Sequence, residues 1–229
     1  MKIIIATIKK WNISNAKKFV EKYSSNHMIK VVDSKEKFQK FDFDKFKPDF
    51  IFFPHWSYII PDNIFEKFNC VVFHMTDLPY GRGGSPLQNL IVRGKKETKI
   101  SAIKVVKELD AGPIYFKNNL KLNGSAQDIY ERASDIIFSN MMPRFLAKDI
   151  KPKAQKGKIV TFKRRTKEQS EIKNCKSINC VYDYIRMLDA ESYPKAFVRK
   201  NGFKFEFSNV QLKNNELFAN VKIMEDDNE

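Results

Sequence analysis

Short apolar runs alternate with longer mixed stretches along the first half of the chain. Four such runs, each of four to six mostly apolar residues rich in Ile, Val and Phe, lie at residues 3–8, 29–32, 50–53 and 70–73, with Thr7 and Lys30 as their polar members. Continuous apolar runs of this length are typical of strands that are buried on both faces of a parallel sheet. The pattern therefore predicts an α/β fold with a Rossmann-like, mostly parallel sheet.

The mixed stretches between these runs predict the helices. Ser14 and Asn15 are candidate N-caps for a first helix that runs toward Tyr23. After two further alternating stretches at 98–106 and 114–120, which predict strands, a Ser-x-x-Asp capping pattern opens a long amphipathic helix that ends near residue 147. These elements complete one sizeable domain.

A change of composition near residue 151 predicts a second, smaller domain. Residues 151–157 are polar and contain Pro and Gly, as linkers do, so the chain divides into domains at 1–150 and 151–229. Within the second domain, Asn201-Gly202 and Asn214-Asn215 are good hairpin turns. The elements predicted around these turns are a helix at 181–188 and strands at 159–162, 196–199, 203–208 and 216–224. We therefore expect a small C-terminal α+β domain.

The segment that follows the fourth apolar run contains the strongest candidates for catalytic residues. It begins at His74 and continues as Met-Thr-Asp-Leu-Pro-Tyr-Gly-Arg-Gly-Gly-Ser-Pro-Leu-Gln to Gln88. Its glycines allow tight turns, and Ser85-Pro86 supplies an N-cap followed by proline at the first helical position. A histidine that leaves a buried parallel strand lies at the sheet edge where α/β proteins bind ligands.

Net charge, cysteine content and apolar run lengths exclude some classes of protein but do not identify one. The formal charge is +15, and the cationic excess is similar in the two predicted domains, so clustered lysines are interpreted as solvated surface. The three cysteines form no Cys-x-x-Cys pair, which predicts reduced thiols and no metal site. No apolar run is long enough to span a membrane and the start reads as a strand, so we expect a cytoplasmic protein that binds no membrane.

The segment from His74 to Gln88 resembles the signature of the folate-dependent formyltransferases. That signature is His-x-[Ser/Thr]-x-Leu-Pro-x-x-Arg-Gly-x-x-Pro-[Ile/Leu]-Gln. The matching residues are His74, Thr76, Leu78, Pro79, Arg82, Gly83, Pro86, Leu87 and Gln88. A second family element, Leu-Asp-[Thr/Ala]-Gly, is matched by Leu109 to Gly112, where Asp110 lies 110 − 74 = 36 positions after the histidine. Two matching motifs at the spacing found in the family argue against a chance resemblance.

The resemblance implies transfer of a formyl group from 10-formyltetrahydrofolate to an amine, with no metal. It places His74 near the formyl group, and it assigns to Asp110 the orientation of that histidine and a part in proton transfer. The family's third catalytic residue is an asparagine two positions before the histidine, where this chain has Val72. Three explanations stay open: His55 supplies the missing donor, a backbone amide or water does so, or the site is inactive.

The resemblance also implies which residues bind the folate and the acceptor. Those implied for the folate pocket are Leu78, Pro79, Arg82, Gly83, Trp56, Ile59 and Leu109. Those proposed for the acceptor are Lys10, Trp11, Thr76, Arg164 and Arg165. Trp11 has an equally good structural interpretation, packing between helix and loop, and Arg82 either orients its loop or meets an anionic group.

The C-terminal part of the chain suggests an acceptor. Residues 184–197 resemble the C-terminal part of sugar N-formyltransferases, including those of pathways to nonulosonic acids such as pseudaminic acid. We therefore expect the acceptor to be a nucleotide-linked amino sugar, used for surface glycans, with no nucleic-acid partner and a homodimer left open. The alternatives are an enzyme like methionyl-tRNA formyltransferase and a non-enzymatic basic protein that binds nucleic acid.

Overall fold

The computed structural model of the protein describes residues 1–226, which form eleven strands and eight α-helices. Apolar runs make the strands and amphipathic stretches make the helices, as the pattern predicts. The strands are β1 (Lys2–Ala6), β2 (Met28–Val32), β3 (Phe50–Phe53), β4 (Cys70–His74), β5 (Tyr80–Gly83), β6 (Glu97–Lys104), β7 (Ile114–Lys121), β8 (Val160–Phe162), β9 (Ala196–Lys200), β10 (Phe203–Lys213) and β11 (Glu216–Glu225). The helices are α1 (Lys10–Tyr23), α2 (Lys35–Lys40), α3 (Phe43–Phe46), α4 (Asp62–Phe65), α5 (Pro86–Ile91), α6 (Ala126–Ile136), α7 (Met142–Ala147) and α8 (Ile178–Leu188).

A six-stranded sheet in the order β2-β1-β3-β4-β6-β7 forms the centre of the fold. Strands β2, β1, β3 and β4 are parallel to their neighbours, whereas β6 runs antiparallel to β4. The apolar runs of β1, β3 and β4 are largely buried, and Ile3, Ile4 and Ile5 are fully inaccessible to solvent, whereas in the edge strand β2 only Val32 is buried. This confirms the predicted α/β fold with a mostly parallel sheet, and it brings the ends of β1, β3 and β4 to one edge.

Backbone contacts divide the chain into two compact units. The first consists of Met1–Arg82, Thr98–Leu120 and Glu131–Thr161, and the second of Gly83–Glu97, Lys121–Tyr130 and Phe162–Glu229. Both units are discontinuous in sequence, so they differ from the predicted continuous domains 1–150 and 151–229. That boundary near residue 151 stays a prediction.

The second unit contains a three-stranded antiparallel sheet in the order β11-β10-β9. Asn201, Asn214 and Asn215 adopt positive φ at its two hairpin turns, as the Asn-Gly and Asn-Asn pairs predict. Helix α8 begins after Ser177, whose hydroxyl accepts a hydrogen bond from the Cys180 amide, and Ile185, Met187 and Leu188 near its end are buried. This small mixed sheet-and-helix unit agrees with the expected fold class.

Three local predictions are wrong. Helix α1 begins at Lys10, so Ser14 and Asn15 lie inside it, and the Asn15 amide instead donates to Ser134 and Asp135. The long helix predicted to end near residue 147 is interrupted by a π-turn at Ile137–Met141. Tyr80–Gly83, expected to be loop, pairs with β8 as a short strand.

Two cysteines also differ from the expectation of reduced thiols. Cys175 and Cys180 form a disulfide, with Cα atoms 5.5 Å apart. Their spacing matches no recognised motif, so the pattern carried no signal for the bond. Cys70 is free and buried, and burial raises the pKa of its thiol to about 12, which makes it an inert core residue.

Candidate active site

His74 is the last residue of β4, and the loop that follows it holds its imidazole in place. The Nε2 atom lies 2.8 Å from the Gly81 carbonyl oxygen. Because a carbonyl only accepts hydrogen bonds, Nε2 carries the hydrogen of this contact. Thr76 is fully buried and its hydroxyl donates to the same carbonyl at 3.2 Å. The loop is therefore folded around the Gly81 oxygen, which sets the orientation of the histidine ring.

The other ring nitrogen of His74 faces Asp110. Nδ1 lies 3.4 Å from Oδ2 of the carboxylate, and the two side chains are only 9% and 11% exposed. An unprotonated Nδ1 and an ionised carboxylate would direct two lone pairs at each other, so this contact is favourable when the pair shares one proton. Residues 36 positions apart in sequence are thus brought together in an arrangement suited to accepting and donating a proton.

Asp110 lies in a tight loop between β6 and β7. Its φ of 53° is in the left-handed region, which is uncommon for a residue other than glycine. Gly112 makes the loop possible, because a Cβ at this position would lie 1.7 Å from the Lys104 carbonyl oxygen. The side chain of Gln155 donates to the carbonyl oxygens of Asp110 and Gly112 at 2.8 and 2.9 Å.

Val72 occupies the position where the resembled family has asparagine. It is half-buried on the same face of β4 as His74, with Phe53 and Ile103 opposite it on the neighbouring strands. Its side chain cannot donate a hydrogen bond, so the site has no amide donor at this position.

His55 follows β3 in a left-handed conformation, with φ of 54°. Its ring packs edge-on against Trp11, with centroids 5.8 Å apart. Burial, and then the charge of Lys9, lowers the pKa of His55 from 6.5 to about 4, so the ring is neutral near pH 7. A neutral imidazole still donates from one nitrogen, and the role of His55 as the replacement donor stays a prediction.

The residues expected in the folate pocket differ sharply in exposure. Leu78 is 1% exposed, whereas Ile59 and Leu109 are 85% and 63% exposed. Pro79 is buried after a cis peptide bond, and Trp56 packs against Phe38, Phe53 and Tyr58. Ile59 and Leu109 are therefore the apolar side chains available to a ligand, while Leu78, Pro79 and Trp56 support the surrounding surface.

Arg82 and Gly83 serve the loop itself. The Arg82 guanidinium donates to Oε1 of Gln155 from Nε at 3.1 Å and Nη2 at 2.9 Å, and to Glu108 from Nη1 at 3.2 Å. This supports the first of the two interpretations of Arg82, that it orients its loop. Gly83 has φ of 103°, and a Cβ there would lie 2.4 Å from the Phe162 carbonyl oxygen. No side chain larger than glycine fits at Gly83.

Three acceptor candidates belong to the first unit, two at the start of α1 and Thr76 after β4. Lys10 is exposed, and Trp11 is half-buried against His55 with the Lys9 ammonium 5.9 Å from its ring. These contacts agree with the packing interpretation of Trp11, and its role toward the acceptor stays a prediction. Thr76 uses both its hydroxyl and its carbonyl within the chain, the latter as acceptor for Ser101 at 2.7 Å.

The remaining acceptor candidates belong to the second unit. Arg165 makes contacts within the chain: its amide donates to the Ser85 hydroxyl, and its guanidinium lies 5.6 Å from the Tyr184 ring centroid. Ser85 therefore does not cap α5 with its side chain, contrary to prediction. Lys163 and Arg164 are exposed and form the free part of this basic segment.

Sequence reasoning missed two groups that hold the site. Asp77 accepts hydrogen bonds from Lys117 and Lys99, and Lys117 also donates to the Leu78 carbonyl oxygen. Burial alone would raise the pKa of Asp77, but these lysines outweigh it and lower the pKa. Gln155 is the second, and it was missed because it lies in a polar segment with the pattern of a linker.

Two absences hold for residues 1–226. In this range, no three His, Cys, Asp or Glu side chains cluster as metal ligands would. In the same range, no helix combines the length and apolarity needed to cross a membrane.

Comparison with known families gives two matches. Residues 8–144 match the formyl transferase family, and residues 167–224 match the C-terminal domain of methionyl-tRNA formyltransferase. The methionyl-tRNA formyltransferase of Bacillus mycoides is 30% identical over 190 residues, which is 78% of this chain and 60% of the relative. The chain thus spans about 60% of the length of the curated relatives that it matches.

Solved structures show the same likeness over the whole chain. A methionyl-tRNA formyltransferase from Clostridium thermocellum is 51% identical, with a TM-score of 0.95 and coverage of 99% of this chain and 100% of that one. HypX from Aquifex aeolicus in complex with tetrahydrofolic acid is 17% identical, with a TM-score of 0.74, covering 93% of this chain and 38% of that one. The second comparison shows a shared fold only.

These findings correct the predicted acceptor. The prediction of a nucleotide-linked amino sugar, with its link to surface glycans and pseudaminic acid, was wrong, and so was the exclusion of a nucleic-acid partner. The relatives at 30% and 51% identity are methionyl-tRNA formyltransferases, and the C-terminal match is to a domain of those enzymes. The resemblance of residues 184–197 to sugar enzymes was too short to decide the acceptor.

Proposed function

Because this chain belongs to the formyl transferase family, we propose that it transfers a formyl group from 10-formyltetrahydrofolate to the amino group of methionyl-tRNA. The observation that carries the proposal is the nearly buried His74–Asp110 pair, which joins the two family elements with Nδ1 and Oδ2 3.4 Å apart. The acceptor is inferred from the Clostridium thermocellum relative, which this chain matches from end to end.

The residues beside the pair suit a folate. Ile59 and Leu109 expose most of their apolar surface on segments that flank the site, and a fused aromatic ring would cover such surface favourably. When bound, 10-formyltetrahydrofolate supplies the electrophilic formyl carbon. The signature loop from His74 to Gly83 is held rigid by its own hydrogen bonds, which favours a fixed position for the bound donor.

The protein's own residues then handle the proton. As the attacking amine nitrogen bonds to the formyl carbon it loses a proton, the bond from that carbon to the folate nitrogen that carried it breaks, and this folate nitrogen gains a proton as tetrahydrofolate leaves. Asp110 with His74 is the nearly buried pair able to accept the first proton and to return one to the folate nitrogen. His74 keeps its Nε2 hydrogen on the Gly81 carbonyl, so the mobile proton lies on the side of Nδ1 and Asp110. Charge that develops on the formyl oxygen needs a donor in place of the absent asparagine, and His55 is our proposed donor.

The charge of the chain suits a tRNA acceptor. The formal charge of +15 would attract a polyanion, and Lys163 and Arg164 offer exposed cations on the second unit. We propose that these two side chains contact the tRNA backbone, which positions the acceptor without reading its sequence.

The test is a steady-state assay with methionyl-tRNA and 10-formyltetrahydrofolate, which should give formylated product at a rate proportional to enzyme. A matched reaction in which formate and ATP replace the folate donor should give none. Equal product in the two reactions, or no product from well-folded protein with the folate donor, would overturn the proposal.

A further inference from the structure

The loop that carries Asp110 is held by the side chain of Gln155. Its amide nitrogen donates to the carbonyl oxygens of Asp110 and Gly112, at 2.8 and 2.9 Å. Its oxygen accepts from Nε and Nη2 of Arg82, at 3.1 and 2.9 Å. An amide side chain has two donor hydrogens and two acceptor lone pairs, so Gln155 uses its full hydrogen-bonding capacity here.

The chemistry of these partners fixes the orientation of the Gln155 amide. A guanidinium has only donors, so it must meet the amide oxygen, and backbone carbonyls only accept, so they must meet the amide nitrogen. Arg82 therefore orients Gln155, and Gln155 in turn holds the loop. Glu108 completes the arrangement by accepting from Nη1 of Arg82 at 3.2 Å, although its side chain is 75% exposed.

The loop needs such support because its backbone conformation is unfavourable. Asp110 has φ of 53°, in the left-handed region that residues with a Cβ adopt uncommonly. The two carbonyl groups that Gln155 binds lie on Asp110 itself and two residues later. Without those bonds the loop would be free to relax, and the Asp110 carboxylate would move away from His74.

We propose that Gln155 is a positioning residue, which holds the Asp110 loop so that the carboxylate meets Nδ1 of His74. This inference rests on the proposed function, since formyl transfer is the reaction that the pair serves. Gln155 lies in the 151–157 segment, so the residues that look like a linker also support the catalytic loop. Arg82 acts one step further away, by orienting Gln155.

The test compares Gln155→Glu with the wild-type protein. The variant keeps an acceptor for Arg82 but turns a carboxylate oxygen toward the two carbonyl groups of the loop. We expect kcat for methionyl-tRNA formylation to fall about 10- to 100-fold, the scale of a misplaced catalytic group, while both KM values change less than about threefold. Gln155→Met, which has similar length and no polar atoms, should show the same split and serves if the first variant does not fold.

A matched control makes the same charge change elsewhere. Gln39 is exposed on α2, so Gln39→Glu should leave kcat and both KM values at wild-type levels. A purely structural role for Gln155 predicts a different outcome: kcat would follow the fraction of folded protein, and its pH profile would keep the wild-type shape. Wild-type kcat in a folded Gln155 variant, or that structural outcome, would overturn the proposal.

An NMR measurement separates this inference from the proposed function. The His74 ring signals are followed during a pH titration of the free protein, with no substrate present. If Gln155 positions Asp110, the uncharged variant Gln155→Met changes the titration curve of His74 while Gln39→Met does not. Identical His74 curves in all three proteins would overturn the inference even if methionyl-tRNA is formylated, whereas failure of wild-type formylation would overturn only the proposed function.

Discussion

Asp110 and His74 show at the scale of single residues how the fold concentrates proton chemistry. Each is nearly buried, His74 ends strand β4 and Asp110 lies in the loop between β6 and β7, and they meet through Nδ1 and Oδ2. The motif predicted both residues, since their types and separation match the family signature. It did not predict Gln155 or Asp77. Gln155 acts through hydrogen bonds to backbone carbonyls and Asp77 through ion pairs with two lysines distant in sequence, and neither arrangement leaves a characteristic spacing.

Asp110→Asn should lower kcat for formyl transfer by about a hundredfold or more. Asparagine has the same size and can hydrogen-bond, but it cannot take up a proton from the attacking amine. Folding should be retained, as judged by circular dichroism. Asp149→Asn is the control, because Asp149 is exposed in the same unit and should leave kcat unchanged. Near-normal turnover in Asp110→Asn would remove this carboxylate from the mechanism.

His55 should make stability depend on pH. Its folded-state pKa is lowered to about 4 from 6.5, by burial and then by Lys9, so the unfolded chain binds the proton more readily. The free energy of unfolding should therefore decrease as the pH falls from 6.5 toward 4, by at most about 3 kcal/mol. His55→Gln should reduce this slope in urea unfolding measured at several pH values. Identical slopes in the two proteins would refute this role for His55.

At the scale of elements, apolar patterning predicted the strands of the central sheet to within one or two residues at most ends. Strand β3 matches the prediction at both ends, because a buried run of Phe and Ile has one satisfactory environment. The first residues of helices were harder to predict than those of strands. Helix α1 begins after Lys9 with no side-chain cap, so the capping signal at Ser14 and Asn15 was misleading. The π-turn and the pairing of β5 with β8 depend on tertiary packing that local pattern does not encode.

Gly112 gives a test of the loop as an element. A Cβ at this position would lie 1.7 Å from the Lys104 carbonyl oxygen, so Gly112→Ala must displace the backbone. We expect a loss of about 1 to 3 kcal/mol of stability, typical of overpacking, together with a lower kcat because the Asp110 loop moves. Thermal unfolding and steady-state kinetics measure the two effects.

Gly94→Ala is the matched control for that variant. Gly94 has φ of 70°, and a Cβ at this position would meet no atom within 4 Å, so alanine there adds backbone strain without a clash. It should cost about 1 kcal/mol of stability and leave kcat unchanged. If Gly112→Ala behaves like Gly94→Ala in both measurements, the loop does not depend on this close approach.

At the scale of the whole molecule, chemistry was easier to predict than the acceptor. The formyl-transfer motif is contiguous, so a single sequence is enough to recognise it. Acceptor choice depends on surfaces spread over the chain, and the short resemblance at residues 184–197 pointed to the wrong substrate class. Net charge alone was ambiguous, because a basic surface suits a tRNA and a small anion equally well.

The exposed cations should tune tRNA binding through counterion release. Replacing Lys163 and Arg164 together with alanine should raise KM for methionyl-tRNA and lower the slope of log KM against log salt by about 1 to 2. The control replaces Lys17 and Lys18, two exposed cations on α1, with the same loss of charge. An equal change in both double variants would mean that net charge acts without a defined contact.

The most direct measurement of the central claim follows the formyl group itself. The wild-type protein is incubated with methionyl-tRNA and 10-formyltetrahydrofolate labelled in the formyl carbon, and the amino acid is then released from the tRNA and identified by mass spectrometry. We predict labelled N-formylmethionine in proportion to the donor consumed, and its loss in Asp110→Asn. Consumption of the donor by folded wild-type protein without labelled N-formylmethionine, or no consumption at all, would contradict the account.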